Sequence, residues 1–107
     1  MTTETIKEEA VQLSTMIPFV AKCYGVDTKD VLSRNRKKPF ITARQIISYF
    51  LIRKEGYAYP TVAALMGTYD HSAVRHSVIA AEARMETEPG FNKWVKELEA
   101  LCYGKQN

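Results

Sequence analysis

The sequence predicts an all-α fold: a compact helical domain with an added C-terminal helix. Three observations point there. Apolar residues recur at helical spacing, and no segment alternates like a half-buried strand. Proline and glycine fall between the periodic segments, where helices start and stop. The length, 107 residues, suits a single domain over residues 1–107 with one core. A hydrophobic share of 46% is ordinary for a folded domain.

Residues 4–14 are expected to form a first helix. Pro18 suits a first helical position rather than a helix interior. A second helix then runs from Pro18 to Tyr24, with Gly25 as its stop and Phe19, Val20 and Tyr24 facing the core. Asp27 or Thr28 caps a short helix through Val31 and Leu32. Ser33 to Ile41 is expected as a basic loop, which Pro39 keeps non-helical. Thr42 then caps a long helix over about residues 43–54, ended by Gly56. Its wide apolar stripe, Ile46, Ile47, Phe50 and Leu51, marks it as the central core helix. Pro60 opens the next helix at its first position; Val62, Leu65 and Met66 share one face, and Gly67 closes it. Asp70 is a strong N-cap for the helix that follows. Val74, Val78, Ala81 and Met85 form the core stripe of that helix, and Pro89-Gly90 stops it. The last helix, 91–103, carries Phe91, Trp94, Val95, Leu98, Leu101 and Cys102 on one stripe, which is core spacing rather than a ligand box.

Several classes are excluded. No apolar run approaches the roughly 20 residues of a membrane-spanning helix. Met1-Thr2-Thr3-Glu4 lacks the start of a signal peptide, so the expected place is the cytoplasm, with nucleoid association when bound. Cys23 and Cys102 match no zinc or redox spacing and are expected to be reduced and half-buried. No nucleophile, base and orienting group stand together, so an enzyme is not expected.

The formal net charge of +3 is weak evidence for a partner, but its distribution is uneven. Residues 33–54 hold Arg34, Arg36, Lys37, Lys38, Arg44, Arg53 and Lys54 and no acid, which is seven of the fifteen basic residues. The acids gather towards both ends. A solvated charged loop and a surface that meets an anion both fit this pattern.

Residues 60–86 read as one unit: a short helix, a turn containing Gly67, then a longer helix with a polar start. That is the pattern of a helix-turn-helix. The core stripe of the second helix leaves His71, Ser72, Arg75 and His76 on other faces. His71 and Arg75 form one i,i+4 pair, and Ser72 and His76 another. Hydroxyl, imidazole and guanidinium groups can meet groove edges or phosphates. Ala73 is small enough for close approach and could touch a thymine methyl. Free N–H groups at the helix start suit phosphate. Asp70 has two readings, a cap or an acceptor for a base amino group, and both can hold. Two histidines on the exposed side favour a groove-facing role over ordinary surface histidines. A metal site is not expected, because His71 and His76 are five apart with no acid or cysteine at ligand spacing.

At these residues the chain resembles a known family. Asp70-His71-Ser72-Ala73-Val74-Arg75-His76 is similar to the Asp-His-(Ser/Thr)-Thr-Val-x-His run of the C-terminal DNA-binding domain of the bacterial replication initiator DnaA. Upstream, Val20-Ala21-Lys22-Cys23-Tyr24-Gly25-Val26 and the basic Ser33-Arg34-Asn35-Arg36-Lys37-Lys38 resemble further segments of it. So do Ala43-Arg44-Gln45 and Tyr59-Pro60-Thr61-Val62. The pieces stand in order over about two-thirds of the chain. Three departures stand out: Thr68-Tyr69 replaces a Gly-Arg pair, Ala73 replaces a threonine, and Arg53 and Lys54 shift the basic positions of the central helix.

The resemblance implies a Trp-repressor-like helix-turn-helix fold and sequence-specific binding of double-stranded DNA, with the recognition helix in the major groove. By position, Asp70, His71, Ser72 and Ala73 would read bases. Arg36 would enter the minor groove. Arg44, Gln45 and His76 would hold phosphates, with Lys37, Lys38 and Arg75 adding phosphate contacts. DnaA-box-like sites in control of replication or transcription are the expected targets, bound by a monomer rather than a homodimer. No Walker-type glycine loop occurs, so no nucleotide cofactor and no ATP-driven helicase loading are expected. A stand-alone copy suits a bacterial or phage regulator. The alternative is an adaptor on the same fold that binds a replication or transcription protein, using the acidic first helix and the Trp94 helix; an exposed Trp94 would favour it.

Overall fold

The computed structural model describes residues 17–33, 36–67 and 70–103. The expected helix at 4–14 lies outside them, as do Arg34, Asn35, Thr68 and Tyr69. The described residues are helical with short connections and contain no strand. The elements are α1 (helical residues 17–23), α2 (Thr28–Val31), α3 (Lys38–Tyr49, continued by a π-helical turn, Phe50–Lys54), α4 (Tyr59–Leu65), α5 (His71–Thr87) and α6 (Pro89–Tyr103).

Helix α3 is the centre. Six successive residues, Ile46 to Leu51, are all buried, Ser48 among them. An amphipathic helix buries one stripe; burial on every side means that neighbours surround it. Its main partner is α5, through Val74, Val78 and Ala81. Val20 and Ala21 of α1, Val31 of α2 and Val62 and Ala63 of α4 are buried in the same core, with Phe91, Val95 and Leu98 of α6. Where α3 widens into the π turn, Glu55 N–H donates to Phe50 O at 2.9 Å, five residues back. The wider turn brings Phe50 and Leu51 inward together and directs Arg53 and Lys54 outward.

Several expectations need correction. The basic loop is shorter than Ser33 to Ile41, because α3 begins at Lys38 rather than 43. Pro39 opens it instead of blocking it: in the first turn its missing N–H costs nothing. Thr42 therefore lies inside the helix and caps nothing. Asp27 sits at the N-cap of α2 but makes no side-chain capping bond. Pro89-Gly90 likewise starts α6; the break falls at Glu88, whose backbone is extended (φ −122°, ψ 94°). Leu101, expected in the core stripe, is 67% exposed. It shares the Trp94 side of α6, whereas Phe91, Val95 and Leu98 face inward.

Cys23 and Cys102 are free and partly buried. Burial pushes the Cys102 thiol up to about 11, which keeps it protonated and unreactive. No described helix is long and apolar enough to cross a membrane.

Candidate nucleic-acid interface

After α4, Gly67 takes a left-handed conformation (φ +73°). Side chains with a Cβ resist that conformation, which is why a glycine closes α4 here. Asp70 then caps α5: its Oδ1 accepts from the N–H of Ser72 at 3.0 Å and of Ala73 at 3.3 Å. The capping expectation is therefore met, and the carboxylate occupies the first turn of α5. His71, Ser72, Arg75 and His76 are exposed, while Ala73 is half-buried. Arg75 stacks its guanidinium over the Tyr59 ring at 5.3 Å, tying the start of α4 to α5.

A cleft of about 230 Å³ lies between the end of α2, α3 and the α4–α5 turn. Arg36, Arg44, Ala73 and Ser77 line it together with Gly67 and Ser48. Of the expected contact residues, the structure thus brings Arg36, Arg44 and Ala73 around one opening. Lys37 and Lys38 stand at the N-terminus of α3, both exposed, with no acid in its first turn. Cations there oppose the helix dipole, an arrangement that an approaching anion would relieve.

Arg44 is more constrained than its sequence position suggested. Its Nε donates to Val31 O at 2.6 Å, and its Nη2 donates to Asp30 O at 3.0 Å and Ser33 O at 2.6 Å. The guanidinium gathers the carbonyls at the C-terminus of α2, those of Val31 and Ser33 and that of Asp30, which also accepts from Ser33 N–H and Oγ. Burial lowers its pKa, though an arginine stays charged. Gln45 does not line the cleft. Its Oε1 accepts from Arg84 Nη1 at 2.9 Å.

Arg84 was missed by sequence reasoning, which had no signal for it beyond one more basic residue on α5. Its Nη1 also donates to Thr42 Oγ1 at 3.2 Å. Its other nitrogens meet the Glu88 carboxylate at 3.1 Å and 3.3 Å. Its guanidinium also lies 4.0 Å from the centroid of Phe91.

The basic residues at the far end of α3 are neutralised. Arg53 pairs with Glu82 at 3.2 Å, and Lys54 with Glu99 at 2.6 Å. Arg36, Lys38, Arg44 and Arg75 have no ion pair among the described residues. The basic stretch is therefore uneven: Arg53 and Lys54 are paired, while Arg36, Lys38 and Arg44 lack an ion pair among the described residues. Trp94 is partly buried: its Nε1 donates to Tyr24 Oη at 2.6 Å, with the rings edge to face at 5.8 Å. Among the described residues no cluster of three metal-ligating side chains occurs.

The chain matches the family described as "Bacterial dnaA protein helix-turn-helix" over residues 13–80. It is similar to the chromosomal replication initiator protein DnaA of Campylobacter concisus, at 32% identity over 93 residues, 87% of this chain and 21% of that protein. DnaA of Aliarcobacter butzleri is 30% identical over 98 residues, 90% of this chain and 22% of that protein. DnaA of Bacteroides thetaiotaomicron is 24% identical over 97 residues, 91% of this chain and 21% of that protein. The chain spans about a fifth of the length of these curated relatives. No solved structure gives a significant match. With α4, Gly67 and the Asp70-capped start of α5 (residues 71–80) inside the matched span, the chain belongs to the bacterial DnaA helix-turn-helix family, a non-catalytic domain.

Proposed function

We propose that this chain binds double-stranded DNA in a sequence-specific manner, with the start of α5 in the major groove and the Arg36 segment in the minor groove. The observation that carries the reading is the segregation of charge. Arg53, Lys54 and Arg84 are matched to carboxylates, while Arg36, Lys38 and Arg75 are exposed and have no ion pair among the described residues, beside the N-termini of α3 and α5. A duplex phosphate backbone is the extended anion that such a face fits.

In this reading Asp70, His71, Ser72 and Ala73 meet base edges, and Asp70 also keeps its capping role. Lys37, Lys38, Arg75 and His76 hold phosphates, with Gln45 on a flanking one. Arg44 contributes through Nη1, since its Nε and Nη2 are committed to carbonyls. The relatives' names concern initiation of chromosomal replication, which supports DnaA-box-like sites as targets, bound by one copy per site in control of replication or transcription. An adaptor surface built on Trp94 has no support, because that ring is packed against Tyr24.

Selection of bound sequences from a random duplex pool tests the proposal. Enrichment of one short motif is the expected result. Recovery of an unenriched pool contradicts sequence-specific binding.

A further inference from the structure

We infer that Arg84 is a positioning residue: it orients Thr42 and Gln45 of α3 so that both present hydrogen-bond donors to a DNA phosphate. The inference rests on the DNA-binding reading above and adds two residues, Thr42 and Arg84, to that surface.

One nitrogen of Arg84, Nη1, donates to both Thr42 Oγ1 and Gln45 Oε1. A guanidinium has only donors, so both partners must accept. With its oxygen held by a cation, the Gln45 amide has one orientation, and its Nε2 donors point away from Arg84. With an Oγ1 lone pair engaged by a donor, the Thr42 hydroxyl keeps its own hydrogen for a further acceptor. Thr42 and Gln45 are three residues apart on α3, hence neighbours on one face, and both are partly exposed. Together they offer a pair of donors three residues apart, which suits a phosphate oxygen.

Arg84 is itself held from behind. Glu88 receives two of its N–H groups, and the Phe91 ring lies against it. Its charge is therefore largely matched by Glu88, and its part is geometric rather than that of a phosphate-binding cation. That distinction is measurable. A cation that contacts phosphate adds about one unit to the log–log salt slope, whereas a neutral donor does not.

The test is a titration of a fluorescein-labelled mixed-sequence duplex at several salt concentrations, with thermal unfolding of each variant alongside. Arg84→Met, which keeps apolar length over Phe91, is expected to weaken binding roughly three- to tenfold, about the worth of one hydrogen bond. Its salt slope should equal that of the unaltered protein. In a Thr42→Val/Gln45→Ala background the same substitution should cost nothing further. Thr42→Val alone, which keeps shape and charge, should also weaken binding and carries the test if Arg84→Met fails to fold. Unchanged affinity in Thr42→Val, additive losses, or a slope reduced by about one in Arg84→Met would each overturn the inference. If the unaltered protein shows no salt-dependent duplex binding, the DNA-binding reading fails and the inference falls with it. Binding that persists without coupling removes the inference alone.

Discussion

The Nε of Arg44 donates to the carbonyl oxygen of Val31 at 2.6 Å, joining the central helix to the end of α2. Two further carbonyls accept from the same guanidinium. Arg44 therefore holds the entry to the basic segment in place, whatever else it touches. Arg44→Ala is expected to lower stability by about 1–3 kcal/mol, because it leaves carbonyls without a charged donor. Arg44→Lys should recover only part, since an ammonium lacks the planar fork. DNA affinity should fall for all sequences about equally in both variants. Denaturant unfolding and duplex titration, run side by side, check the two effects.

Asp70 separates a cap from a base contact. Asp70→Ala should destabilise the fold by about 0.5–2 kcal/mol through loss of the bonds to Ser72 and Ala73. Asp70→Ser keeps a capping oxygen, so its stability should stay near that of the unaltered protein. Any change in base preference in Asp70→Ser then reports the contact with DNA rather than a frayed helix.

The exposed start of α5 carries the sequence preference in this account. His71→Ala and Ser72→Ala should each cost about 1–3 kcal/mol against the preferred duplex and relax the preference at one position. Both side chains are exposed, so unfolding midpoints should barely move. Competition between the selected duplex and single-base variants of it reads both effects.

The pH dependence of stability has one assignable pair. The hydrogen bond from Lys54 holds the Glu99 carboxyl below the usual carboxylate range, and the same bond raises the pKa of Lys54. A depressed acid stabilises the fold above its unfolded value and loses that contribution as the pH falls through the folded one. A raised lysine stabilises below its unfolded value and loses that contribution as the pH rises through the folded one. The pair is partly exposed, so its worth is about 0.5–1 kcal/mol. Glu99→Gln should remove that increment at neutral pH and flatten the acid limb of the stability curve. Unfolding midpoints between pH 2 and pH 7 provide the check.

Much of this was legible in the chain because the relevant rules are local. The stripe Val74, Val78, Ala81 followed from helical period alone, and the cap at Asp70 and the stop at Gly67 from residue type. Starts at proline were harder. Pro39 and Pro89-Gly90 end one helix or open another by the same chemistry, and the flanking residues do not decide between them. The charge pattern was half legible. Seven basic residues without an acid read as one patch, yet Arg53 and Lys54 find carboxylates on α5 and α6, which only tertiary packing supplies. Arg84 was invisible for the same reason. Its partners Thr42 and Gln45 are 42 and 39 residues away in sequence, and no periodicity encodes such a contact.

Duplex binding itself is tested most directly by the salt dependence of the association constant of the unaltered protein. About five cationic contacts, from Arg36, Lys37, Lys38, Arg44 and Arg75, predict a log–log slope of roughly −4 to −5 on the selected duplex. A slope in that range, with affinity lost when Arg36, Lys37 and Lys38 are replaced by alanine, is the result this account predicts. A flat response to salt would contradict it.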